Sequence, residues 1–329
     1  MNIKHADTII GYAVLKKFDV LCLGDINLDI LYYIDSLPSL GGESTASKMV
    51  ISPGGAAANV ATALARLGFK VGFIGALGRD IIGKFLYEEL IRENIDVSNI
   101  VWKSEFSGIM SIAVTRGGER TIMGFRGANK FLNPEDVNEA YVGSSKAVFI
   151  SGYALLEEPQ RSSALKVISF ARKCNVKIFI DVCEPLASYG ASRLSKIIGK
   201  VFCTFLNLRE YNILFGNSKD NVKTFLEKYS EIIVVKMGRE GAEVLTSGFK
   251  VKVEAFNVEV VDTTGAGDAF DAGFIAGILK HLSFREALIL ANALAAWKCQ
   301  GYGARHLPRL YELKEFLKVS GYERLAETL

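Results

Sequence analysis

The chain is short of cysteine and proline and has no long apolar run, and each shortage removes a class of protein. Its 5 cysteines, Cys22, Cys174, Cys183, Cys203 and Cys299, are odd in number, far apart and never in a C-x-x-C pair. That argues against a disulfide framework or a zinc site and fits a reducing cytoplasm. With only 6 prolines in 329 residues, 50% hydrophobic and 23% charged, the composition excludes a disordered or fibrous chain. No uncharged stretch approaches the ~20 apolar residues that span a bilayer, so no membrane partner is expected. The first residues, 1–17, hold a short apolar stretch, Ile9–Leu15, without a small-residue cleavage pattern, and read as an N-terminal extension. The 39 basic and 36 acidic residues are interspersed, leaving a net charge of +3 and no Lys/Arg stripe of the kind nucleic acid requires.

What is present is an alternation. Short β-branched or apolar runs at Asp19–Leu23, Val71–Ile74, Ala147–Ile150, Lys177–Ile180, Val201–Phe205 and Ile232–Val235 are separated by amphipathic stretches. The pattern predicts an α/β fold, a mainly parallel sheet covered by helices on both faces. One helix is expected over Ala56–Leu67, with Val60, Leu64 and Leu67 on its apolar face and Gly68 as its stop. Two segments break the rhythm. Residues 30–52 and 107–125 alternate polar and apolar, the second with a Gly117-Gly118 turn between Ser111–Thr115 and Arg120–Met123. They read as a small sheet projecting from the main one, or as two surface hairpins.

The chemistry concentrates at Asp262-Thr263-Thr264-Gly265-Ala266-Gly267-Asp268, where Val260-Val261 read as a strand, the glycines as a turn, and the apolar residues after Asp268 as a helix running to about Leu279. Glycines at a helix start let amides approach an anion, and the positive end of the helix favours charge there. Asp268 in that first turn has the place of a general base for an attacking hydroxyl, and equally that of a helix cap. A G-x4-G-K spacing at Gly78 to Lys84 imitates a phosphate loop, but Phe85 stands where a Ser or Thr would hold magnesium, and that reading is rejected.

The Asp262–Asp268 segment with Ala269-Phe270 resembles the C-terminal signature of the ribokinase-like (PfkB) sugar kinase family. Gly54-Gly55-Ala56-Ala57-Ala58-Asn59-Val60-Ala61 is similar to a second signature, and Gly24-Asp25-Ile26-Asn27-Leu28-Asp29 to a third. The resemblance implies a three-layer sandwich with a small β-sheet lid, a kinase domain over 18–329 into which the lid is inserted, and transfer of the ATP terminal phosphoryl group to a sugar hydroxyl. It implies Asp268 as base with the Gly265, Ala266 and Gly267 amides stabilising charge. Asn27, Asp29, Gly54, Gly55 and Asn59 would meet the acceptor. Arg126 after the lid would reach an acceptor anion or fix the lid by an ion pair.

On the nucleotide side the resemblance implies Lys236, Gly238 and Gly241 of a K-x-G turn, together with Asn292 near the adenine. Lys236 reads either as a phosphate contact or as surface charge. Asn207 and Glu210, an N-x-x-E element, would position Mg²⁺ through water, though the pair also fits a helix capping box. Asp262 and the loop Gly301-Tyr302-Gly303-Ala304 would border a K⁺ site. The family lid shields the acceptor from water and pairs between subunits, implying a homodimer. The resemblance implies a small sugar or sugar-like acceptor; a nucleoside, or a sugar- or nucleotide-sensing role without catalysis, are the alternatives. A dinucleotide-dependent oxidoreductase is set aside, because no G-x-G-x-x-G follows the first strand.

Overall fold

A computed structural model describes residues 16–116 and 119–329. The extension 1–17, apart from its last two residues, and the Gly117-Gly118 turn therefore lie outside the described residues. Among the described residues, nine strands form one sheet in the order β13-β12-β11-β10-β9-β8-β1-β4-β5. They are β1 Phe18–Leu23, β4 Val71–Gly78, β5 Asp96–Lys103, β8 Ser145–Ser151, β9 Lys177–Asp181, β10 Val201–Asn207, β11 Ser230–Lys236, β12 Ala242–Leu245 and β13 Lys250–Val253. From β5 to β11 every pairing is parallel, and only β12 runs against its neighbours.

Parallel strands are buried on both faces, which is why they read as continuous apolar runs. In β1, Val20 and Cys22 face one core with the helices Ala56–Arg66, Ala266–Leu279 and Phe284–Cys299. Leu21 and Leu23 face a second core on the opposite side, shared with the helix Gln160–Lys173. The result is three layers. Phe274 of the helix Ala266–Leu279 meets Phe205 of β10 edge-on at 5.7 Å, and Phe205 stacks on Phe179 of β9 at 6.2 Å. Each such ring contributes about 1.5–3 kcal/mol on burial, and together they fix the height of that helix over the strand ends.

Four strands, β2 Asn27–Tyr33, β3 Lys48–Gly54, β6 Gly108–Val114 and β7 Arg120–Phe125, make the second sheet in the order β3-β2-β6-β7. The lid reading therefore holds over the surface-hairpin one. Strand alternation gives its two faces different tasks. Asn27, Asp29 and Leu31 share a face with Ser52, Val50, Met110 and Ile112 and turn toward the body. Ile51, Met123 and Phe125 lie on the other face and are exposed.

One expectation fails. Val260 and Val261 are no strand but exposed coil. A β-branched pair alone does not make a strand when no neighbouring strand is there to pair with it. Among the described residues no helix is long and apolar enough to cross a membrane.

Candidate active site

The strand order reverses between β1 and β8, and in open α/β sheets the crevice at the carboxyl ends beside such a point receives ligands. Asp25 follows β1, while Asp181, Asn207 and Lys236 close β9, β10 and β11 on that same rim. The helix Ala266–Leu279 begins over it. Its N-cap, Gly265, has φ 77, a left-handed conformation that suits glycine, and the Asp268 carboxylate accepts from the Asn59 side chain rather than from a cap amide. Asp268 is therefore free of the capping role and turned into the crevice.

The Asp268 carboxylate accepts from Asn59 Nδ2 at 2.7 Å, while Asn59 Oδ1 accepts from Arg305 Nε at 2.7 Å. One partner only donates and the other only accepts, so the pair dictates which way the amide faces. Arg305, which also reaches Thr62, was not recognised from the sequence. Asn59 thus spends its acceptor on the protein rather than on a ligand. Loss of water raises Asp268 to about 6, against the pull of Asn59. Asp29 is raised to about 7, chiefly by burial and further by Asp268.

Gly54 and Gly55 have a physical reason at the lid root. A Cβ on Gly54 would lie 2.1 Å from Asp29 Oδ2, and one on Gly55 2.3 Å from the Asp25 carbonyl. Only glycine lets the lid strand and the helix Ala56–Arg66 enter so close to both acids. Asn27 is buried, its Oδ1 accepting from Asn129 Nδ2 at 2.9 Å.

Arg126 is not where the acceptor reading put it. Its guanidinium donates to both oxygens of Asp25, at 2.7 and 2.9 Å, to Gln160 Oε1 at 2.6 Å, and to the Tyr153 carbonyl and Glu157. A bidentate pair of this kind is a fixture. Arg126 ties the lid root to the end of β1, as in the ion-pair alternative.

Lys236 is likewise no surface charge. Its Nζ donates to Asp181 Oδ1 at 2.7 Å and to both oxygens of Asp271 at 3.1 and 3.2 Å, and it lies 3.5 Å from where a Cβ on Gly267 would stand. Burial alone would lower its pKa, but the two carboxylates raise it, so it stays charged. Neither Asp181 nor Asp271 was singled out from the sequence. Lys236, Gly238, Gly241, Gly267 and Asn292 line a cleft of about 710 Å³ that ends at the N-terminus of the helix Ala266–Leu279. Asn292 donates to the Glu254 carbonyl at 3.0 Å.

Asn207 and Glu210 do form the capping box, at 2.8 and 2.9 Å. This engages Asn207 Oδ1 and one Glu210 oxygen in the helix cap and leaves the second Glu210 oxygen outside it. Glu210 is raised by burial and by Asp181, a condition that a divalent cation between them would relieve. Among the described residues no cluster of three or more His, Cys, Asp or Glu side chains forms a metal cage. A Mg²⁺ would fit here only as a hydrated ion carried largely by phosphates.

The K⁺ expectation at Asp262 does not fit. Its carboxylate accepts from Thr264 N, Thr264 Oγ1 and Gly303 N at 2.7–2.8 Å, and its carbonyl accepts from Lys298 Nζ at 2.6 Å. At the decoy loop, the Asp80 carboxylate accepts from Gly83 N and Ser107 N at 2.6 and 2.7 Å, filling the place of a phosphate.

The model of the pfkB family of carbohydrate kinases matches residues 17–309. The chain belongs to that family. It is 30% identical over 326 residues to 5-dehydro-2-deoxygluconokinase of Clostridium botulinum (strain Eklund 17B / Type B), covering 92% of this chain and 94% of that one. It is also 30% identical to an ATP-dependent ribose-1-phosphate kinase of Halopiger xanaduensis, covering 91% and 97%. Among solved structures, a probable sugar kinase from Rhizobium etli superposes with a TM-score of 0.82 at 23% identity, covering 94% and 100%, which establishes the shared fold. As a pfkB family member, the chain has the mixed α/β architecture expected of it.

Proposed function

We propose that this pfkB family chain transfers the terminal phosphoryl group of ATP to a hydroxyl of a small sugar or sugar acid, with Asp268 taking the proton. The reading rests on where Asp268 stands, between the Asp29 and Asn59 cluster under the lid and the helix N-terminus that ends the long cleft. The acceptor lies under the lid and the nucleotide in the cleft, so the reacting atoms meet at the first-turn amides of Gly265, Ala266 and Gly267. Asp29 accepts acceptor hydroxyls, with Asn27 held beside it by Asn129; Lys236 steadies the helix start beside the transferred group. Mg²⁺ bound with the nucleotide would neutralise phosphate charge, with Glu210 holding its water. Residues 18–329 act as one unit, and the unpaired cysteines suit a reducing cytoplasm.

The names of the relatives set the first acceptors to try. ADP release coupled to a reporter is measured with ATP and Mg²⁺ against 5-dehydro-2-deoxygluconate, ribose-1-phosphate, ribose, fructose and nucleosides. Release that depends on one sugar is the expected result. ATP binding without acceptor-dependent release from any of them would favour a nucleotide-sensing regulator.

The lid also supports a homodimer. Met49, Ile51, Met123 and Phe125 are each at least half exposed on the face turned away from the site, an apolar surface that an isolated sheet seldom leaves in water. Light scattering on a size-exclusion column is expected to give twice the 36.0 kDa chain mass. A mass of one chain at micromolar concentration would remove the lid interface.

A further inference from the structure

Lys298, in the helix Phe284–Cys299, is 0% exposed, and its Nζ donates to the main-chain carbonyls of Asp262 at 2.6 Å and Gly301 at 3.2 Å. Neither partner is a carboxylate. A buried ammonium without a paired acid is costly, so the contact calls for a role. Two carbonyls converging from separate loops form the kind of cradle that suits a monovalent cation, and an ammonium brings the same single charge with directed donors.

The position of the cradle supplies the role. The Asp262 carbonyl opens the turn that runs through Thr264 and Gly265 into the helix Ala266–Leu279, and the Asp262 carboxylate ties that turn to Gly303 of the second loop. A shift at this carbonyl would turn the Gly265–Gly267 amides away from a phosphate. We propose that the Lys298 ammonium is a built-in cation that replaces a monovalent metal at this turn, so that phosphoryl transfer needs no K⁺. Lys298 is then a positioning residue. The inference rests on the phosphotransferase reading above.

The test uses the full chain in buffers whose other cations are Tris, tetramethylammonium and Mg²⁺, with KCl exchanged for tetramethylammonium chloride at constant ionic strength. Wild-type turnover and melting temperature are expected to ignore the exchange. In Lys298→Ala the cradle is vacated; turnover is expected to fall about 10²-fold, the scale of a misplaced reacting group. KCl or NH₄Cl should then restore part of it and raise the variant's melting temperature by about 2–4 °C. Activation or thermal stabilisation of the wild type by K⁺ overturns the proposal, as does a Lys298→Ala variant that works normally without K⁺. If that variant does not fold, the wild-type titration decides alone. Melting curves need no acceptor, so an inactive chain would deny the phosphotransferase reading while its K⁺ response still decided this one.

Discussion

Asp268→Asn is expected to cut turnover by about 10²–10⁴-fold, the usual worth of a positioned base, while leaving the protein at least as stable as the wild type at pH 8. The amide keeps an oxygen to accept from Asn59 Nδ2, so the contact at 2.7 Å survives. What is lost is the ability to take a proton. The stability follows from the raised carboxyl. Its folded value of about 6 lies above the ordinary 3.8, chiefly because burial penalises the charged form. The stability this group contributes is complete below 3.8, where it is neutral in both states, and is lost as the pH rises through 6. The melting temperatures of variant and wild type should diverge across pH 4 to 6 in the variant's favour and then run parallel. Wild-type kcat/KM should climb through about pH 6 to a plateau, with Asp29, near 7, broadening the rise. Turnover close to wild type in Asp268→Asn would sink the base role.

The sequence exposed this site unevenly. Asp268, Asn59 and Asp29 stand in local motifs, where glycines mark close approaches that chain spacing alone reveals. Arg305 reaches Asn59 across 246 residues, and no local pattern links them. Asp271 and Lys298 lie on helices as single polar residues, indistinguishable by periodicity from solvent-facing ones until the neighbouring layers are in place. Arg126 was left between two roles, since a guanidinium beside a lid suits an anion and an internal carboxylate equally well, and its pairing with Asp25 decides for the second.

The same division runs through the fold. Strands β1, β4, β8, β9, β10 and β11 were legible because burial on both faces makes them apolar throughout. Strands β12, β13 and β5 escaped notice. The Lys250–Val253 run alternates charge with valine, and Asp96–Lys103 carries polar residues at the sheet edge. Val260-Val261 had strand composition and no partner.

Lys236→Met should damage stability more than any other single change at the site. The ammonium serves two acids, Asp181 and Asp271, and Asp271 is 0% exposed. Removing it leaves Asp271 buried and Asp181 half-buried without a counter-ion, a loss of about 3–5 kcal/mol. For a chain of 329 residues, at about 2.1 cal/mol/K of unfolding entropy per residue, that corresponds to a fall in melting temperature of roughly 4–7 °C. Combining Lys236→Met with Asp271→Asn removes one of the stranded charges, so the double variant should melt well above Lys236→Met alone, by a margin that thermal unfolding followed by circular dichroism would read directly. Its turnover should nevertheless stay low, because the positive charge beside Gly267 is still missing. A Lys236→Met protein as stable as the wild type would show that the acids are reached by water, whereas a double variant that regains activity would show that the lysine only neutralises them and has no part in positioning the transferred phosphate.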